Sequence, residues 1–276
     1  MAVASCGTAQ QAELVGSYVW QNDDPAFGGY SAIEVADDGG RFLALSDRAH
    51  LISGTMVREQ GQIAAIADVS LTPLTAADGS TLPRRFSDSE GLAVGPDGTI
   101  HLTFEWEHGL RQLDVTTGRV GPFIAAPDYA GFQNNSGLEA LAVDTAGTLY
   151  AVPERSGLAT RPFAVFAYRD GNWRTAFEIP RRGAFLPTGA DIGPDGYFYL
   201  LERDFVGIGF RSRVRRFDMQ GGSEVTLLET PPLVRDNLEG ISVWMAADGL
   251  RMTLISDDNF RSLQRTEIVE YRLTDR

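Results

Sequence analysis

One cysteine, three histidines and no apolar run of about 20 residues occur in a chain of 276 residues, and each shortage excludes something. A single thiol, Cys6, allows neither an intrachain disulfide nor a cysteine metal cluster. His50, His101 and His108 are not grouped at ligand spacing, which argues against zinc. No segment is apolar over the length that a membrane-spanning helix needs. Neither a Gly-x-Ser-x-Gly elbow nor a phosphate-binding glycine loop is present, so nucleophilic serine chemistry has little support. Positive charge is also short: 24 basic against 37 acidic side chains leave a net charge of −13. That balance repels nucleic acid and anionic membranes, and it suits a protein that concentrates cations.

What the chain does have is one phrase written five times. A small or acidic residue opens an apolar run, an Asp-Gly-type turn follows, and a second apolar run ends in an acid. The copies begin at Ser31, Glu90, Glu139, Thr188 and Glu239, spaced 59, 49, 49 and 51 residues apart. A period near 50 built of short strands marks a β-propeller, one repeat per blade. Third and fourth strands follow each hairpin, for example over residues 110–115 and 119–124, or 163–168 and 173–179. The fifth repeat runs out after residues 267–273. Residues 13–20 alternate like a strand and would supply its missing outer strand, closing the ring with no free edge. The fold expected is therefore all-β: a single propeller of five four-stranded antiparallel blades over residues 12–276, behind a tail at 1–11. A sixth blade could lie only in residues 49–87, which read better as the outer half of blade one.

The repeat also aligns its acids. A tight turn makes the first two strands antiparallel, so the residue opening one and the residue closing the next share a face of the disc. The openers are Ser31, Glu90, Glu139, Thr188 and Glu239; the closers are Asp47, Glu105, Glu154, Glu202 and Asp257. All ten should ring one mouth of the channel, with Glu34 and Asp191 one level deeper. Like charges so crowded raise one another's pKa or require a cation. Oxygen donors suit Ca²⁺, with Glu90, Glu139, Glu239, Asp47 and Asp257 as ligands and Asn135 or Asn237 completing the shell. The alternative makes the acids strand caps paired with arginines. Arg48, Arg155 and Arg203 directly follow three closers, and further arginines lie in the loops at 84–86, 181–185 and 235–237. Around a cation, these guanidinium forks would hold an anionic ligand such as a phosphate or carboxylate. Glu105, Glu154 and His108 are the candidate proton carriers, while His101, inside a strand, reads as packing.

These same residues carry a family resemblance. Gly28-Gly-Tyr-Ser…Leu-Ser-Asp47-Arg48, Asp88-Ser-Glu-Gly-Leu…Glu105, Asn135-Ser-Gly-Leu-Glu139…Glu154-Arg155, Pro187-Thr-Gly-Ala-Asp191 and Asp236-Asn-Leu-Glu-Gly240 span residues 28–260. As an ordered set they resemble the phytase-like propellers labelled esterase-like activity of phytase. The Glu-Gly openers are similar, more distantly, to metal-binding strand starts of gluconolactonase and senescence-marker propellers. The resemblance implies a secreted or periplasmic bacterial propeller that binds calcium and hydrolyses esters or phosphoesters. The chain has no lysine-rich phosphate pocket, which argues against phytic acid as substrate. Residues 3–7, Val-Ala-Ser-Cys-Gly, match a lipoprotein cleavage box, with Cys6 the residue that would carry a lipid anchor. The expected function is a monomeric, calcium-dependent hydrolase of a small anionic ester; the alternative is a non-catalytic, calcium-stabilised binding propeller of the cell envelope.

Overall fold

The computed structural model describes residues 11–83, 86–106, 108–129, 132, 136–261 and 263–274. Cys6, Arg84, Arg85 and Asn135 lie outside these described residues. Five antiparallel sheets account for the strands. Blade one comprises β2 (Tyr30–Val35), β3 (Arg41–Ser46), β4 (His50–Glu59) and β5 (Gln62–Pro73). Blade two has β6 (Ser89–Val94), β7 (Ile100–Phe104) and β8 (Gly109–Asp114), with the short β9 (Arg119–Val120) and β10 (Ile124–Ala125) both pairing with β8. Blade three is β11 (Leu138–Val143), β12 (Leu149–Pro153), β13 (Phe163–Arg169) and β14 (Asn172–Ile179). Blade four is β15 (Leu186–Ile192), β16 (Phe198–Phe205), β17 (Phe210–Phe217) and β18 (Val225–Glu229). Blade five is β19 (Asn237–Ala246), β20 (Gly249–Asp257) and β21 (Glu267–Thr274), completed by β1 (Gln11–Val19).

The ring closes as the sequence predicts: β1 pairs antiparallel with β21, from Gln11 opposite Thr274 to Val19 opposite Glu267. Residues 49–87 add no sixth blade among the described residues; they hold β4 and β5. One expectation needs correction. The fourth strand of blade two, expected over residues 119–124, is split in two, because Pro122 cannot donate to the ladder. No helix among the described residues is long and apolar enough to cross a membrane.

The innermost strands touch in the order β2, β6, β11, β15, β19 and back to β2, which makes the channel wall. Side chains alternate along each strand, so each blade sends one set of apolar residues to either neighbour. In β16, Phe198 and Leu200 pack towards blade three, whereas Tyr199 and Leu201 pack towards blade five. Five apolar clusters fill the five blade junctions.

A bulge interrupts every innermost pairing at the same place. The register slips between Tyr30 and Ala32, Ser89 and Leu92, Leu138 and Ala140, Pro187 and Gly189, and Leu238 and Gly240. The residues skipped include every opener: Ser31, Glu90, Glu139, Thr188 and Glu239. A bulge frees one residue from the ladder and re-aims its side chain. Glycine follows three of these openers because the next blade runs against the backbone there. A Cβ on Gly240 would lie 2.8 Å from the Ala32 carbonyl carbon, and one on Gly189 would collide with the Glu239 carbonyl oxygen.

Candidate functional site

At the channel mouth the chain closes each second strand against the residue two before the opener. The Asp47 amide donates to the Gly29 carbonyl (2.7 Å), Glu105 to Asp88 (2.9 Å) and Glu154 to Gly137 (3.1 Å). Asp257 stands opposite Asn237 and Arg203 opposite Leu186. The equivalent closers are therefore Asp47, Glu105, Glu154, Arg203 and Asp257. Glu202, expected in this set, lies one position too early in β16. Alternation turns it to the side of Phe198 and Leu200, where it is fully buried. There Arg213 Nε (2.8 Å) and Arg215 Nη2 (2.6 Å) hold it.

In Glu202's place, Arg203 puts a guanidinium among the acids. It is ion-paired with Glu239 and donates to Asn237 Oδ1 (3.0 Å). Burial opposes its charge, but Glu239, Glu139, Glu154 and Glu90 together raise its pKa. Asn237 also donates to Glu239 Oε1 (2.7 Å) and to Asp257 Oδ2 (3.3 Å). This half of the ring is compensated.

Among the described residues, Asp88, Glu90 and Glu105 on the other side form no ion pair with an arginine. Asp88, Glu90 and Glu105 place one carboxylate oxygen each within 4.8 Å of one another. Burial, then the charges of Glu139, Glu239, Asp88 and Glu105, push Glu90 well above the ordinary carboxylate range. Glu105 is raised to about 8 by burial and by its hydrogen bond and repulsion with Asp88. Asp47 is raised to about 7 by burial and by Asp88 and Glu239, and its Oδ1 has no hydrogen-bond partner. Asp257 reaches about 8 through burial and Glu239, even though the Asn259 amide donates to it (2.6 Å). Even beside Arg203, which lowers both, Glu139 is driven up by burial and by Glu154, and Glu239 is raised chiefly by burial. A set of oxygen donors that resist ionisation as a group is what a hard cation relieves, and this donor set fits one.

Backbone proximity is the reason Gly29 sits here. Its φ is +64°, and an added Cβ would strike Asp47 and the Phe260 ring. Arg48 is exposed on the rim, its guanidinium carbon 3.1 Å from the centre of that Phe260 ring. Arg155 is also at the rim and bonds Glu154 through Nε (3.1 Å). One level down, Glu34 is raised well above its usual range by burial and by Asp191. Asp191 accepts from the amides of Val243 (2.6 Å) and Ile192 (2.7 Å). The deeper acidic level is therefore real. Ser31 and Thr188, the non-acidic openers, tie blades together through bonds to the Ser89 (2.7 Å) and Leu238 (3.5 Å) carbonyls.

Other expected residues stand elsewhere. His108 belongs to an aromatic cleft on blade two, stacked on Phe132, and burial alone lowers its pKa. His101 lies in β7 within reach of Gln112 (3.4 Å). Arg182 pairs with Glu224 (2.8 Å) and Arg235 with Glu267 (2.7 Å), rather than with the ring. Asp88 is the member that sequence reasoning missed. Its signal was present: it is an acid just ahead of β6, two residues before Glu90, where its carbonyl accepts the amide of the closer Glu105.

The fold is shared with a protein of distant sequence. A virginiamycin B lyase from Staphylococcus aureus superposes with a TM-score of 0.51 at 14% identity, over 94% of this chain and 100% of that one. A PQQ-bound aldose sugar dehydrogenase from Streptomyces coelicolor aligns with a TM-score of 0.49 at 11% identity, over 97% and 99% of the two chains. No curated protein matches the sequence. With its repeated openers, its closers and the matched residues 25–260, the chain belongs to the phytase-like family described as esterase-like activity of phytase.

Proposed function

We propose that the protein is a metal-dependent hydrolase of small anionic esters, working at the channel mouth. The observation that carries this reading is the unbalanced half-ring of Asp88, Glu90 and Glu105, three carboxylates with ligand atoms within 4.8 Å of one another. Of the ligands expected from sequence, Glu90 remains in the proposed set. Glu139 and Glu239 instead lie on the side that Arg203 compensates, and Asp257 shares Asn237 with them. Glu105 becomes a ligand rather than a base. A bound Ca²⁺ would act as a Lewis acid on the ester oxygen.

The chain's own residues do the rest. Asp47, poised at about 7 with an unpartnered oxygen, takes the proton from the attacking water. Glu154, whose carboxylate is held by Arg155, is less available for that task. Arg48 and Arg155 flank the mouth and are free to bind the anionic group with their outer nitrogens. Arg203 is committed to Glu239 and Asn237. It positions those side chains rather than binding substrate.

The test is the thermal melting of metal-stripped protein with millimolar Ca²⁺, Mg²⁺ or Zn²⁺, run beside hydrolysis of phosphate and carboxylate esters. A calcium-specific rise of several degrees is expected by simple linkage. The rise should vanish in the Asp88→Asn/Glu105→Gln variant, and ester hydrolysis should follow the metal. No rise with any cation overturns the metal site. A rise without hydrolysis of any ester overturns the enzyme and leaves a calcium-stabilised binding propeller.

A further inference from the structure

Beside the mouth, blade two carries a second concavity that the proposed hydrolysis does not use. It encloses about 770 Å³, and its walls include Trp106, His108, Phe123, Asp128, Tyr129 and Phe132. The rings are packed against one another from below. His108 lies flat on Phe132 with ring centres 4.3 Å apart, and Tyr129 meets both Phe132 and Phe166 edge-on. Two rings remain partly open to solvent: Trp106 is 47% and Phe123 40% exposed, with the Arg111 guanidinium over the Phe123 ring (5.4 Å). Two large aromatics open to water at one concavity are an expensive arrangement for a surface with no ligand.

Polar groups accompany them. Among the described residues His108 Nδ1 is buried with no hydrogen-bond partner, while Trp106 and Asp128 are exposed. Aromatic faces with a few convergent, unused polar atoms are the composition of a small-molecule site. The available groups are one indole N–H donor, an imidazole that burial favours in its neutral form, and one carboxylate. Acceptors predominate, so the ligand must bring donors.

We propose that this cleft binds a neutral polyhydroxylated ring, a sugar, with its C–H face on Trp106 and Phe123 and its hydroxyls donating to Asp128 and His108. The rival ligand classes fit less well. A plain aromatic ring would cover the same faces but leave Asp128 and His108 desolvated without partners. An anion would meet the Asp128 carboxylate in a protein of net charge −13. The proposal is independent of metal binding and of hydrolysis at the mouth. Still, Glu105 and Trp106 are adjacent in the chain, so a sugar held here would lie next to the acidic ring.

The experiment is a titration of the full chain with methyl glycosides of glucose, galactose and mannose, with p-cresol as the aromatic control. Saturation-transfer NMR and tryptophan fluorescence would read it out. At least one glycoside should bind in the millimolar range, with its ring protons saturated. Trp106→Ala should weaken that binding by roughly tenfold or more, the loss typical of a central aromatic anchor. Asp128→Asn should weaken it several-fold, and Glu90→Gln at the mouth should leave it unchanged. Trp106 and Asp128 are both at the surface, so circular dichroism and melting of these variants should match wild type. Binding of p-cresol with no glycoside overturns the sugar assignment. So does binding of no probe at all, or glycoside binding that survives Trp106→Ala.

Discussion

Two populations of buried carboxylates coexist in this propeller, and they differ in their company. Within the blades, Glu202 is held by both Arg213 and Arg215. Glu270, on β21, takes the Arg58 fork at 2.6 and 2.7 Å and a hydroxyl from Thr253 (2.9 Å), with Arg251 beside it. That second cluster joins blade five to blade one. At the mouth, by contrast, Asp47, Asp88, Glu90, Glu105, Glu139, Glu154, Glu239 and Asp257 surround Arg203, the one inward guanidinium among the described residues. The contrast separates acids used to hold the fold from acids kept short of counter-charge. Only the second kind would be relieved by a cation. All 24 basic residues are arginine, whose planar fork can hold a buried carboxylate with two bonds at once.

The sharpest way to break this comparison is inside blade four. Arg215 is fully buried and bonds Glu202, Glu224 and the Pro180 carbonyl. Arg215→Ala removes one partner of a buried pair, a change that costs about 3–5 kcal/mol, and the melting temperature should fall by roughly 10 °C or more. A change of only a degree or two would mean that the interior network is dispensable. At the mouth the same kind of edit should have the opposite sign. Glu90→Gln removes a charge that its neighbours oppose. The metal-free variant at pH 8 should therefore melt a few degrees above wild type and lose its response to calcium. If it melts lower, Glu90 belongs with the structural acids.

Acidity offers a gentler probe. Asp47 near 7, and Glu105 and Asp257 near 8, are raised in the folded state. Between about pH 4 and 8 the folded protein thus binds more protons than the unfolded chain, and stability falls as pH rises through that window. Melting in EDTA from pH 4.5 to 9 should show this decline, and calcium should flatten it. A metal-free curve that is flat or climbs would contradict the crowding of charge at the mouth. The smallest effect belongs to the exposed pair of Arg41 and Asp38 (3.2 Å), 77% and 52% exposed. Arg41→Ala should move the melting temperature by about a degree or less. A larger loss would show that surface pairs matter here as much as buried ones.

Much of the architecture was legible because a propeller repeats. Spacings of 49 and 51 residues mark the blades, and the short fifth repeat beside an alternating N-terminal segment points to the closure by β1. The acids at Asp47, Glu90, Glu105, Glu139, Glu154, Glu239 and Asp257 were legible for the same reason. The errors came from single-residue register. Glu202 ends an apolar run just as Glu154 does, yet the pairing in blade four makes Arg203 the equivalent residue. One residue along a strand exchanges faces, so an acid expected at the mouth went to a blade junction and its neighbour took its place. His108 looked close to the mouth along the chain, but its ring turned into the aromatic cleft.

The sequence alone determined the number of blades, the order of strands, the closure and the excess of acids at one end. These follow from periodicity, alternation and turn residues, which act locally and repeat. Tertiary structure decided which acids share a counter-charge. That depended on five bulges turning the openers inward and on Arg203 reaching Glu239 across a blade junction. The balance of charge at a point is a sum over neighbours from all five blades, and only the closed ring makes them neighbours.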